Sequence, residues 1–406
     1  MITVSPLWEQ TNRDVFTLPA TVQLLMELTD QSMPEISTNR LISFNFNKSC
    51  DCLSSVLTQD TITFSFDNSD GVFDYNPEND IYQYAKVDVY CGYADSTNSR
   101  WTNNQCGTYY VSNTEASGNK TVFTAKKILG FMTGKFEFPV GASELVMTGE
   151  ALAKETISQA KNSNGVPCKN IGLIFDSSLS EYDLKLLPTD NYSYAEILQL
   201  IANAFQCVLF VDESNFIHIE KLGNVSEDYV LSEKISYEYP KKKLAEKIGD
   251  IRLYTNHGNS QTAPTFEESG GELIITNPIV TNSYQSFLLA NHTFSFLSVS
   301  RKKITGNFRA DPRICLFDII IIPNGKDVSV CAVTKINFTY NGGWRGTYEA
   351  VAIDTATIDM RICDIEMLKI KQLKSLKVGQ LSPNTVSDDA DEYIATKNNE
   401  IMLWEE

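Results

Sequence analysis

From Arg40 onward the chain alternates between apolar and polar positions. Residues 41–46 read Leu-Ile-Ser-Phe-Asn-Phe and residues 61–66 read Thr-Ile-Thr-Phe-Ser-Phe, so apolar side chains recur at 44, 46, 62, 64 and 66. A period of two predicts strands with one face in a core and the other toward water. Three further runs, 87–93, 107–111 and 121–125, mix β-branched and aromatic residues in the same way. The cluster Asp67-Asn68-Ser69-Asp70-Gly71 supplies a turn between strands. At least five short strands at this spacing predict a small barrel or sandwich. The residues before them are broken by Pro6, Pro19 and Pro34, and the stretch from Thr21 to Leu28 fits either a short helix or a buried strand.

The period then lengthens. Residues 150–161 read as a helix closed by Asn162-Ser163-Asn164-Gly165. Ser193 stands three residues before Glu196, a capping box, and Ile197, Leu198, Ile201, Ala204 and Phe205 share one helical face. Strands at 207–211 and 216–219 follow, joined by Asp212-Glu213-Ser214-Asn215. Beyond Lys241-Lys242-Lys243, read as a solvated loop or strand end, strands return at 250–254 and 272–275. A helical stretch over 284–298 precedes strands at 304–309, 315–322, 328–338 and 346–353, with Asn341-Gly342-Gly343 as a hairpin turn. This pattern predicts a second barrel. From Ile365 lysines alternate with Leu368, Leu373 and Leu376, then Pro383 and an acidic run at 388–392 lead to Ile401, Met402, Leu403 and Trp404.

The expected fold is therefore mainly β with an α/β insert: two small β-barrel-like domains flank an α/β domain, and an extended C-terminal arm follows. The divisions fall at 1–39 (irregular), 40–140 (first barrel), 141–235 (α/β insert), 236–363 (second barrel) and 364–406 (arm). In the arm, Leu373, Leu376, Met402, Leu403 and Trp404 are the candidate partner-docking residues, because an apolar cluster at a chain end is poorly explained as solvated tail; the alternative is that Trp404 folds back on its own subunit.

Composition narrows the chemistry. Fifty-one acidic against 34 basic residues give a net charge of −17, which argues against a groove that grips nucleic acid by neutralising phosphates. It leaves room for a surface past which DNA slides. Nine cysteines without framework spacing, several inside apolar strand patterns (Cys91, Cys207, Cys331), read as buried free thiols. Cys50-Asp51-Cys52 has no second pair and no nearby histidine to complete a zinc site. The first residues carry no basic-then-apolar leader, so the expectation is a chain made and kept in the cytoplasm unless a machine carries it out. Three isolated histidines, and no nucleophile elbow, metalloprotease helix or phosphate loop, lead us to expect no enzyme, no metal and no cofactor.

Two stretches carry a family texture. One runs from Leu41 through Thr61-Ile62-Thr63-Phe64-Ser65-Phe66-Asp67-Asn68, Asp70-Gly71 and Tyr75-Asn76-Pro77 to Tyr90-Cys91-Gly92-Tyr93. The other runs from Asn277-Pro278 through Gly306-Asn307-Phe308-Arg309-Ala310-Asp311-Pro312-Arg313 and Phe317-Asp318-Ile319-Ile320 to Asn341-Gly342-Gly343. With the Ser193 helix and its hairpin between them, they resemble the two barrels and the small insert of baseplate hub and tail-tip proteins of phages of Gram-positive hosts and related prophages. The resemblance spans about residues 40–360 and rests on order more than on invariant residues. It implies a structural role for Arg309, Asp311, Pro312 and Asp318. Phe317 occupies the position where the family usually has glycine, which puts that turn in question.

The resemblance further implies a homotrimeric ring in the virion tail that continues the tube channel and carries a spike or fibres. Its partners would be the tail tube or distal tail protein, the tape measure protein, and spike, fibre or lysin subunits, with genomic DNA only in transit. The competing readings are a carbohydrate-binding tail adhesin, favoured by a loop expected around Trp101, and a tail-associated wall hydrolase built on a dispersed carboxylate pair.

Overall fold

The computed structural model describes residues 20–27, 40–50, 57–71, 73, 82–94, 101–176, 182–221, 229–231, 236–244, 248–255, 260–262, 271–281, 283–297, 302–312, 314–324, 327–341, 343–352, 393–395 and 401–403. The first strand-rich region holds β1 (Ala20–Glu27), β2 (Leu41–Ser49), β3 (Gln59–Asp67), β4 (Lys86–Ala94), β5 (Trp101–Ser117) and β6 (Lys120–Lys126). A single helical turn, α1 (Ile128–Phe131), leads into β7 (Leu145–Thr148), α2 (Gly149–Gln159), β8 (Gly172–Phe175) and β9 (Asp183–Leu186). Then come α3 (Tyr194–Ala204), β10 (Cys207–Val211), β11 (Phe216–Lys221) and β12 (Tyr229–Val230). They are followed by β13 (Lys241–Leu244), β14 (Ile248–Thr255), β15 (Ser260–Thr262), β16 (Gly271–Asn277) and α4 (Ser283–Leu297). The second strand-rich region contributes β17 (Lys302–Phe308), β18 (Ile319–Asn324), β19 (Asp327–Tyr340) and β20 (Trp344–Ala352), before a last pair, β21 (Tyr393–Ala395) and β22 (Ile401–Leu403).

The mainly β class with an α/β part holds, but the described strands close no barrel. They form one twelve-stranded sheet in the order β1-β4-β5-β6-β3-β2-β19-β20-β17-β13, with β18 and β12 branching from β19. The cause is β2. It pairs with β3 on one side and with β19 on the other, Phe46 lying opposite Phe338, so the two strand-rich regions share a ladder where two separate closures were expected. At fourteen residues β19 is long enough to pair with β18 in its first half and with β2 in its second.

The inward face of this sheet is aromatic. Phe44, Phe46, Phe64, Phe66, Phe123 and Phe338 are at most 1% exposed. Their rings meet edge-on or stacked, with Phe44 and Phe46 at 4.7 Å and Phe64 and Phe123 at 5.2 Å. Such pairs add to the hydrophobic term that holds a sheet to its core. The ambiguous stretch near Thr21 is a strand because Val22, Leu24 and Met26 are buried at period two against β4. Trp101 lies opposite Ala94 at the start of β5 rather than on a loop.

A second core lies between α2, α3, β10 and β11, with Leu152, Ile197, Leu198, Ile201, Leu209 and Ile219 buried in it. Ile251 and Leu253 of β14 and Leu289 of α4 join this core, and β14 forms a separate three-stranded sheet with β15 and β16. The capping box is present: Ser193 N–H donates to Glu196 Oε2 at 2.7 Å, and Glu196 N–H donates to Ser193 Oγ at 3.3 Å. Ser193→Ala should cost about 1 kcal/mol in a urea titration. Helix α2 stops at Gln159, earlier than read, and residues 162–165 form a separate turn in which Gly165 (φ +79°) donates to the Asn162 carbonyl. Positive φ is open to glycine at little steric cost, so the turn suits its sequence.

Candidate functional site

The family-like residues sit together on the loop from β17 to β18. Arg309 is half-buried at its start, and Asp311, Pro312 and Asp318 are buried. The Asp311 carbonyl accepts from Ile314 N–H at 3.1 Å, and Asp318 Oδ2 accepts from Cys315 N–H at 2.8 Å. Backbone bonds in both directions with Val333 (2.8 and 3.0 Å) tie Phe317 and Asp318 to β19. Burial pushes the Asp318 carboxyl above its ordinary range, partly opposed by the Cys315 amide.

Phe317 answers the question its position raised. Its φ is +67°, the left-handed conformation that favours glycine, so the turn is kept although the residue is not glycine. An L-residue there costs on the order of 1–2 kcal/mol. The offset is visible in packing: the ring is fully buried, 5.8 Å from Phe210, and clusters with Val208 and Leu316. Phe317→Gly should relieve the backbone yet lose that packing. We expect a net loss of about 1–3 kcal/mol by urea titration, because large-to-small core changes exceed the strain relieved.

This loop closes one side of a polar seam. The seam joins the end of β2 (Lys48), the start of β3 (Thr58, Asp60), Lys127 and the tip of the β10–β11 hairpin around a cavity of about 260 Å³. Lys127 is buried at its centre. Its Nζ lies 3.3 Å from Asp60 Oδ2 and donates to the carbonyls of Val211 (2.8 Å) and Asp212 (3.2 Å). Tyr109 Oη donates to Asp60 Oδ1 at 3.0 Å, and Thr58 Oγ donates to the Leu209 carbonyl. Lys48 is 2% exposed, with Nζ 5.4 Å from the centre of the Phe46 ring. Burial alone would depress the Lys48 pKa, but the fields of Cys315, Asp60 and Glu213 outweigh it and raise it, so the ammonium stays charged.

Within β11, opposite Phe210, His218 lies 3.2 Å from Asp212 Oδ2, 3.6 Å from Glu220 Oε1, and stacked 4.5 Å from the Phe210 ring. Asp212 Oδ1 also accepts from the amides of Ser214 and Phe216. Burial raises the Asp212 pKa, and the bonds from His218 and these amides more than reverse that, leaving it below the ordinary range. A depressed folded-state pKa stabilises above the unfolded value, near 3.9, and that stability is lost as pH falls through the folded value. The melting temperatures of the native chain and Asp212→Asn should therefore differ at pH 7 and converge toward pH 3.

Lys48, Asp60, Lys127 and Glu213 were not singled out in the sequence, although two of them left a signal. Lys48 continues the inward phase of Phe44 and Phe46, and Lys127 that of Phe123 and Ala125, so each lysine stands where the pattern points into a core. Of the docking residues, Met402 and Leu403 lie in β22, paired with Ile394 and Tyr393 of β21. Leu373, Leu376 and Trp404 lie outside the described residues, as do Cys52 and His257. Among the described residues no group of three or more His, Cys, Asp or Glu side chains is placed to hold a metal ion.

Buried cross-bonds fix the hairpin of the α/β part, the β17–β18 loop and the shared sheet against one another. This is the fold of phage tail proteins. The tail protein from Neisseria meningitidis MC58 matches over 84% of this chain and 99% of its own, with a TM-score of 0.52 at 10% identity. The 43 kDa tail protein of prophage MuSo2 from Shewanella oneidensis matches over 81% and 98%, with a TM-score of 0.54 at 10% identity. No family model matches the sequence. No curated protein matches it by sequence similarity.

Proposed function

We propose that this chain is a non-enzymatic structural component of a phage-type tail, a baseplate hub or tail-tip subunit. In this reading it acts as a homotrimeric ring continuing the tube channel and carrying the spike or fibres, and it works without a cofactor. The observation that carries the proposal is the single sheet built across β2 and β19 from both strand-rich regions, in a fold shared along nearly the full length of two tail proteins. Such a sheet, braced at the buried seam, suits a part that must transmit load and hold a bore open. Its neighbours would be the tail tube or distal tail protein, the tape measure protein and a spike, fibre or lysin subunit. The segment 364–406 would serve as the docking arm, and the loop bearing Arg309, Asp311, Pro312 and Asp318 as an internal brace. Quantitative mass spectrometry of purified particles tests this. Three copies per particle are expected; one or six, or absence from the particle, refutes it.

A further inference from the structure

Cys50, Cys207 and Cys315 donate to oxygen atoms: the Thr334 carbonyl, the Phe205 carbonyl and Glu213 Oε1. Cys91 in β4 and Cys106 in β5 differ, because their side chains interact with each other. Both are free thiols, 0% and 2% exposed, in the aromatic core of the large sheet.

The sheet builds this meeting of thiols. Cys91 stands opposite Asn104, Tyr90 opposite Gln105 and Val89 opposite Gly107, so Cys106 is the extra residue of a bulge. A bulge fits more residues on its own strand than on the partner and re-aims a side chain. Here it turns Cys106 into the core with Val89 and Cys91, and shortens the diagonal from Cys91 to less than two residue steps. Cys106 Sγ also reaches the Asn104 carbonyl at 3.5 Å. Asn104 adds a second feature: its Nδ2 is buried and has no acceptor among the described residues. A buried donor left unpaired calls for an explanation. Only β1 separates β4 from the end of the sheet, so local opening there gives a small oxidant its path.

We infer that Cys91 and Cys106 form a conditional disulfide, closed by hydrogen peroxide after the chain leaves a reducing compartment. The inference rests on the tail reading for that change of surroundings, since a released particle leaves the cell that built it. Cys91 gives up its proton, and the thiolate attacks one oxygen of the peroxide. The O–O bond breaks, hydroxide leaves and takes the proton to become water, and Cys91 is now a sulfenic acid. Asn104, directly opposite, brings the unpaired donor to that new oxygen. The Cys106 sulfur then attacks the Cys91 sulfur, and the sulfenic hydroxyl departs with the Cys106 proton as a second water. Two thiols are oxidised and one peroxide is reduced. Burial pushes the Cys91 thiol well up, so the first step is slow and the pair stays reduced wherever thiol reductants are abundant.

The test treats the purified full-length chain with hydrogen peroxide, blocks remaining thiols and maps the peptides without reduction. A peptide carrying Cys91 should be joined to one carrying Cys106, with the pair lighter by two hydrogens. The melting temperature should rise by about 3–6 °C, the scale for closing a loop of about 15 residues, and a thiol reductant should reverse the rise. Cys91→Ala and Cys106→Ala should each abolish both effects. Should either variant fail to fold, the peptide map of the native chain decides alone. Two cysteines that stay thiols, go on to sulfinic acids, or link to other cysteines overturn the assignment. A second arm compares particles released from cells, expected to hold the link, with particles from thiol-blocked lysates, expected to lack it. Released particles that contain the reduced chain refute this inference alone. Particles without the chain refute the tail reading and leave the peptide map standing.

Discussion

Lys127→Met should destabilise the protein by about 3–5 kcal/mol, the scale for breaking a buried ion pair from one side. The change strips Asp60 of its cation and leaves the Val211 and Asp212 carbonyls without the ammonium that now donates to both. The cost belongs to what is left behind rather than to the pair itself. Lys127→Met combined with Asp60→Leu should therefore recover much of the loss, since replacing both charges by apolar groups is often neutral. Tyr109, whose hydroxyl would then lose its acceptor, sets the remainder. Urea titrations of the two single variants and the double variant close the cycle. Equal losses in the double variant and in Lys127→Met alone would show that the seam is not held by this pair.

Phe46→Ala should be comparably damaging, about 3–5 kcal/mol, because it empties a fully packed site. The ring touches Phe44 and Tyr109 of the first strand-rich region and Phe338 and Trp344 of the second. The more telling result is the shape of the transition. If the two regions share one core, a single cooperative transition moves as a whole in calorimetry, with near-UV signals from Trp344 and Tyr109 shifting together. Two transitions, one displaced and one left in place, would mean that the regions fold as separate units.

How much of this was legible in the sequence depends on whether the information was local. Period two at 41–46, 61–66 and 121–125 placed β2, β3 and β6, and the Ser193–Glu196 pair placed α3, because alternation and capping are decided within a few residues. The pairing of β2 with β19 was not legible. It joins residues nearly 300 positions apart, and both strands look the same whether they close a barrel or share a sheet. The seam was half-legible: Lys48 and Lys127 broke phase visibly, whereas their partners Glu213, Asp212 and Asp60 lay in turns and strand ends where acidic residues are ordinary. Phe317 shows the limit from another side, since nothing in one sequence says that a phenylalanine takes a glycine conformation until Phe210 and Leu316 are seen holding it there.

The proposed ring of this chain at the tail tip meets its sharpest test in a cryo-EM reconstruction of that tip from assembled particles. The result expected is three copies around the tail axis, with the sheet that runs through β2 and β19 flanking a bore continuous with the tube. A tip holding six copies or one, or one in which this chain lies on a peripheral fibre away from the axis, would contradict it.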